Sequence, residues 1–381
     1  MQNRLENRAM VALLLLAILT LNACGSASNL TPTSTVSSTT TTIPPNTTAI
    51  PLPATPIISS TSTETSTSVP ALITNTPTQI PATTNGAGLA SNQPIPTTGC
   101  GKAAPITPGL TENVTIAANP SGARGSATRS YRLHLSAKYK PNESEAILLV
   151  FHGHGGSAAD MEAGSGFSTL ADQQGFITVY PQGVKDDDGL PMWANVGPAA
   201  DYGIDDLTFT NDMINKFQKE LCVDPSRIYA TGFSNGGGMS HYLACRLAGR
   251  IAAVVPIAGN YFVLPDGGCQ PSRAVALLEI HGTADNVIAY NGRPDKDFPG
   301  WPLPSMPNYL AEWAKRNGCT TGPQIFLDTS EVKGEEWAGC RDNSTVAHYQ
   351  MKGGGHSYPA SINGRPGSEV IWSFLYQHVR S

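Results

Sequence analysis

Charge is scarce in this chain of 381 residues, and positive charge more so: 14% of residues are charged, with 24 Lys and Arg against 29 Asp and Glu, for a formal net charge of −5. Nucleic acid binding requires a basic patch to neutralise phosphates, and none is visible, so the expected partner is a neutral or weakly acidic polymer. Cys-x-x-Cys does not occur, which removes the usual cysteine-based metal spacing. The glycine runs are not followed by Gly-Lys-Ser or Gly-Lys-Thr, which removes a phosphate loop. The apolar run Val11–Leu21 falls short of the ~20 residues that a membrane-spanning helix needs. Internal repeats are missing too.

What is present begins with a leader. Arg4 and Arg8 precede the apolar run, and small residues surround Cys24, the layout of a secretory signal peptide over residues 1–23. Leu21-Asn22-Ala23-Cys24 resembles the lipobox of bacterial lipoproteins, which implies lipidation of Cys24 and an extracytoplasmic, cell-envelope location; the plain alternative is a cleaved signal and secretion. Residues 24–98 are dominated by Thr, Ser and Pro, with scarcely any charge and few large apolar side chains. Such a segment cannot bury a core and reads as a linker. Fully extended at ~3.1 Å per residue, it would reach on the order of 230 Å.

Residues 99–381 have mixed composition and enough length for one domain with a substantial core. Alternating strand and helix patterns predict a mostly parallel central sheet with helices on both faces, an α/β class fold. Glu112–Ala117 and Arg129–Ser136 alternate like antiparallel strands, while Ala146–Phe151 is a continuous apolar run suited to a buried parallel strand. Further strands are expected at 176–180, 227–231, 251–258, 274–281 and, last, 345–351. Helices are expected up to Gln174, from a cap at Asp205 and Asp206 to Leu221, and over 235–247, 307–316 and 369–378. Six cysteines follow Cys24: Cys100, Cys222, Cys245, Cys269, Cys319 and Cys340. In an exported chain an even set reads as disulfides. Cys319 and Cys340 flank a local excursion and are expected to pair; two of Cys222, Cys245 and Cys269 are expected to pair with each other and Cys100 with the third, the connectivity staying open.

Gly232-Phe233-Ser234-Asn235-Gly236 lies between the β-branched run 227–231 and a helical segment. That context places Ser234 on a sharp strand-to-helix turn with its hydroxyl exposed for attack. A serine hydroxyl needs a base within hydrogen-bond reach and an acid to orient that base. His356, in the turn Gly353-Gly354-Gly355-His356 after the last strand, is the expected base; His348 within a strand and His378 in a helix read as structural. Asp285, after the strand ending at His281, is the expected acid, whereas Asp205 and Asp206 read as helix caps and Asp186–Asp188 as a solvated loop. The oxyanion of a tetrahedral intermediate requires backbone N–H donors. Asn235 and His154, the latter in His152-Gly153-His154-Gly155-Gly156, are the candidates. A metal reading of His152 and His154 lacks further ligands at suitable spacing.

The segments HGHGG, RIYATGFSNGG, HGTADNVIAYNG and GGGHSYP, in this order, resemble the secreted esterases of the polyhydroxybutyrate depolymerase and feruloyl esterase type, over nearly all of residues 99–381. The resemblance implies an α/β-hydrolase fold, Ser234, Asp285 and His356 as triad, and ester hydrolysis with no cofactor and no metal. Trp193 and Trp301 are expected on loops rimming the site, where flat rings suit a feruloyl group or a sugar. Soluble feruloylated or acetylated polysaccharide fragments are the expected substrates, and membrane contact is expected only through Cys24. The alternatives are a hydroxybutyrate oligomer depolymerase, a serine peptidase of the same superfamily, and a non-catalytic surface binding protein.

Overall fold

The computed structural model describes residues 97–117, 128–194, 203–262, 268–294 and 301–380. The expected signal peptide, Cys24 and nearly all of the linker lie outside them. Thr97 and Thr98 are already part of the domain: the hydroxyl of Thr97 donates to Val223 O (2.7 Å) and the N–H of Thr98 to Gln218 O (2.8 Å).

The strands are β1 (Thr111–Ala117), β2 (Thr128–His134), β3 (Glu145–Phe151), β4 (Ile177–Pro181), β5 (Val184–Lys185), β6 (Pro191–Met192), β7 (Val223–Phe233), β8 (Ala253–Ile257), β9 (Ala276–Gly282), β10 (Thr321–Asp328), β11 (Val332–Ala338), β12 (Val346–Met351), β13 (Ser361–Ile362) and β14 (Arg365–Pro366). The helices are α1 (Ala158–Ser165), α2 (Phe167–Gln174), α3 (Asp206–Glu220), α4 (Asn235–Arg246), α5 (Met306–Asn317) and α6 (Gly367–Tyr376). Ten strands form one sheet in the order β1-β2-β4-β3-β7-β8-β9-β12-β11-β10. The six from β4 to β12 run parallel, and an antiparallel pair closes each side.

Side chains alternate across a strand, so a parallel sheet covered on both faces needs apolar residues at every position. β3 meets that demand, since all seven of its residues are buried. Ile147, Leu149 and Phe151 join Phe217 of α3, Leu243 of α4 and Trp313 of α5 on one face; Leu148 and Val150 join Leu170 of α2 and Trp372 of α6 on the other. Helices on both faces of a mixed, mostly parallel sheet are the α/β-hydrolase arrangement.

Several local expectations change. The helix expected to end at Gln174 is two helices, broken at Gly166 (φ 75°). Asp205 caps α3 by accepting from the N–H of Thr208 (2.8 Å), but Asp206 is no cap. It is fully buried, paired with Arg129 (2.7 Å), and accepts the N–H of Ala194 (2.6 Å). A buried carboxylate needs such partners to be tolerated. The Cys319–Cys340 excursion is the β10–β11 hairpin, which adds two strands beyond those expected. The disulfides are Cys100–Cys222, Cys245–Cys269 and Cys319–Cys340, within the pairings left open by the sequence.

Candidate active site

Ser234 links β7 to α4 with φ 55° and ψ −117°. This positive φ is unfavourable for a residue with a Cβ, and the turn is held by the N–H of Ser234 on Ile257 O (2.9 Å) and of Gly238 on Ser234 O (3.0 Å). Gly232 and Gly236 must be glycine for steric reasons: a Cβ on Gly232 would collide with the carbonyls of Gly236 and Phe151, and one on Gly236 with those of Phe151 and His152.

His356 arrives from the turn after β12. Its Nε2 lies 2.9 Å from Ser234 Oγ and its Nδ1 2.7 Å from Asp285 Oδ2. With Asp285 accepting, Nδ1 carries the proton, and Nε2 presents a lone pair to the serine hydroxyl. The ring of Phe233 packs against the imidazole at 4.8 Å between centroids. The turn is fastened to the β9 loop by the N–H of Ala284 on Gly354 O and of Gly353 on Thr283 Oγ1, both 2.8 Å. Asp285 is 5% exposed, and its Oδ1 accepts the N–H groups of Val287 (2.9 Å) and Ile288 (2.8 Å). Burial raises its pKa, yet bonds from His281, His356 and the Ile288 N–H hold it well below the usual carboxylate range.

The His152–Gly156 loop runs beside the serine, so close that a Cβ on Gly153 would lie 3.4 Å from Ser234 Cβ. Burial lowers the pKa of His152 to about 4, so the ring is neutral. Its Nε2 accepts the N–H of Gly183 (2.9 Å), and its Nδ1–H donates to Gly153 O (2.7 Å), which also receives the N–H of Gly156 (3.1 Å). A trans peptide sets its N–H opposite its carbonyl, so the His154 N–H points away from these two donors. His154 Nε2 donates to Asp186 Oδ2 (2.7 Å), while Asp186 Oδ1 accepts the N–H groups of Asp188 and Leu190, both at 2.9 Å. Asp186 therefore organises the β5–β6 hairpin instead of sitting in a merely solvated loop.

Trp193 corrects the sequence expectation. It is fully buried, edge-on to Phe151, with Nε1 donating to His152 O (2.8 Å), so it offers no face to a substrate. Trp301 is partly exposed and lies edge-on to Phe262, in the segment after β8. His348 and His378 are bonded within the fold, as expected. Among the described residues, His241, Cys245 and Cys269 converge, but the cysteines form a disulfide and cannot serve as thiolate ligands. The sequence reading passed over His281 and Glu279. Their signal was present: two ionisable residues two apart, hence on one face, in an otherwise apolar strand.

Residues 129–289 match the family model described as Esterase PHB depolymerase. Probable feruloyl esterase C of Aspergillus clavatus is 30% identical over 256 residues, which are 65% of this chain and 83% of that protein. The chain belongs to this esterase family. Feruloyl esterase B of Piromyces equi is 37% identical over 240 residues, 62% of this chain. The chain spans 42% of that relative, and 33% of the bifunctional acetylxylan esterase/xylanase of Neocallimastix patriciarum, to which it is 28% identical over 255 residues, 66% of this chain. Acetyl xylan esterase from Aspergillus awamori superposes with a TM-score of 0.50 at 15% identity, over 70% of this chain and 99% of that one. That likeness bears on the fold alone.

Proposed function

We propose that the protein hydrolyses carboxylic esters through a covalent acyl-enzyme, with Ser234 as nucleophile, His356 as general base and acid, and Asp285 as the orienting acid. The observation that carries this reading is the single imidazole of His356 bridging Ser234 Oγ at 2.9 Å and Asp285 Oδ2 at 2.7 Å. Ser234 Oγ attacks the ester carbonyl carbon while its proton passes to His356 Nε2. The N–H groups of Asn235 and His154 stabilise the oxyanion, each contributing on the order of 3 kcal/mol. Collapse expels the alcohol, which takes the proton from His356; water then repeats the sequence and releases the acid.

Feruloyl or acetyl esters on plant polysaccharide fragments are the substrate class, supported by the names of the relatives. Trp301 is the remaining aromatic candidate for contact with substrate. The protein acts outside the cytoplasm, which its three disulfides support, and the leader motif supports a lipid anchor at Cys24. Methyl ferulate, acetylated xylan and hydroxybutyrate oligomers, assayed with wild type and Ser234→Ala, test the reading. Turnover of the first two, lost in the variant, is expected. Hydrolysis that persists without the Ser234 hydroxyl, or failure of a fluorophosphonate to label Ser234, overturns the catalytic reading; preference for the oligomers overturns only the substrate class.

A further inference from the structure

Behind Asp285 lies a second histidine that the triad does not use. His281, near the end of β9, is 1% exposed. Its Nε2 lies 2.8 Å from Ile288 O and 3.2 Å from Asp285 Oδ2, the same oxygen that receives His356 Nδ1. A carbonyl oxygen only accepts, so Nε2 carries a proton. Its Nδ1 lies 2.8 Å from Glu279 Oε1.

The state of Glu279 follows from its own neighbours. Tyr261, after β8, donates its hydroxyl to Oε1 (3.0 Å). His348 of β12 directs Nδ1 at the carbonyl of Glu279 (3.0 Å), which fixes the proton on that nitrogen, and the nitrogen lies 2.9 Å from Glu279 Oε2. The other ring nitrogen of His348 faces the Tyr290 hydroxyl (3.0 Å). The Tyr261 hydroxyl donates to Oε1 and His348 Nδ1 stands beside Oε2, surroundings that suit an ionised carboxylate, which accepts from His281 Nδ1 as well. Tyr290 stands edge-on to the His281 ring at 5.8 Å, and Tyr309 of α5 stacks on Tyr261 at 3.9 Å between centroids. Burial keeps these tyrosines neutral, so the charged groups against His281 are Glu279 and Asp285, with His356 beyond.

We propose that His281 is a doubly protonated imidazolium, held between the carboxylates of Glu279 and Asp285, that acts as a positioning residue for the triad. It fixes Asp285 Oδ2 at the junction of two imidazoles and withdraws part of its negative charge. Asp285 then stabilises a charged His356 less than a lone aspartate would, which keeps the base neutral into more acidic solution. Glu279 supplies the counter-charge that makes a buried cation tolerable. The direction of each shift agrees: burial opposes the charge on His281, but Glu279, Asp285 and the Ile288 carbonyl raise it to about 10, and His281 and His348 overcome burial at Glu279 to hold it at about 2.

The role in catalysis rests on the triad reading, but the charge state does not. In wild-type protein labelled with ¹⁵N-histidine, the resonances that disappear in His281→Gln should show two protonated ring nitrogens from pH 5 to 9. A neutral tautomer in that range overturns the proposal. The paired variant Glu279→Gln/His281→Gln removes the ion pair without leaving a buried carboxylate behind. In it the acid limb of kcat/KM should move up by roughly one pH unit, with Ser234 still labelled by fluorophosphonate. The His356 resonances in the same spectra report the same displacement even in a protein that hydrolyses none of the esters tried, which separates failure of this inference from failure of the esterase reading. An unchanged limb and unchanged His356 titration in a folded paired variant overturn the positioning role.

Discussion

Trp193 and Asn235 are joined by two hydrogen bonds: the backbone N–H of Trp193 donates to Asn235 Oδ1 (2.7 Å), and Asn235 Nδ2 donates to the carbonyl of Trp193 (3.3 Å). The residue after Ser234 thus closes a buried peptide group of a distant loop. Asn235→Ala leaves both backbone groups without these partners and should reduce unfolding free energy by about 1–3 kcal/mol in urea titrations. Trp193→Phe loses the Nε1 bond to His152 O and part of a fully buried ring packed on Phe151 and His152, and should lose about 2–4 kcal/mol. Equal stability of Asn235→Ala and wild type would show that the pairing has no structural role.

Asp285→Asn separates orientation from folding. The side-chain oxygen can still accept from Val287 and Ile288, while the amide nitrogen presents donors where His356 Nδ1–H expects an acceptor. Ester hydrolysis should fall about 10³–10⁴-fold with a cooperative thermal transition retained. Activity within tenfold of wild type would remove Asp285 from the triad.

The Glu279–His281 pair makes stability depend on pH at both ends. His281 is raised to about 10, so its contribution is complete below about 6.5, the unfolded value, and is lost as pH rises through about 10. Glu279 is lowered to about 2, so its contribution is complete above about 4.5 and is lost as pH falls towards 2. Urea midpoints of wild type minus those of Glu279→Gln/His281→Gln should therefore shrink between pH 7 and 10. A constant difference across that range would contradict the charged state of His281.

The disulfides differ in what they constrain. Cys100–Cys222 spans a sequence separation of 122, against 24 for Cys245–Cys269 and 21 for Cys319–Cys340. Loop-closure entropy assigns about 5 kcal/mol to the first and about 3 kcal/mol to each of the others. Paired Cys→Ser variants should follow that order in denaturant midpoints. Greater loss from the Cys319–Cys340 pair would show that strain or residual unfolded structure dominates instead.

The strands near the site were legible because buried parallel strands such as β3 and β8 require unbroken apolar runs, and the nucleophile turn because glycines at 232 and 236 announce a turn that excludes side chains. β10 was not legible: seven of its eight residues are exposed, so burial imposes no alternation on TGPQIFLD. Trp193 misled for the opposite reason. A tryptophan in a loop reads as a surface feature, and only the convergence of His152 O, Asn235 and Phe151 from other segments turns it inward. Asp206 likewise sits at a capping position by sequence, while its partner Arg129 is 77 residues away.

The backbone of Ser234, at φ 55° and ψ −117°, lies where glycine is comfortable and serine is not. Selection for reactivity and selection for stability therefore pull in opposite directions at this residue. Ser234→Gly should melt higher than Ser234→Ala, by the equivalent of about 1 kcal/mol, and be just as inactive; equal melting would mean that the turn carries no such conflict. If the conflict is real, the sturdiest version of this fold is one that has given up its chemistry.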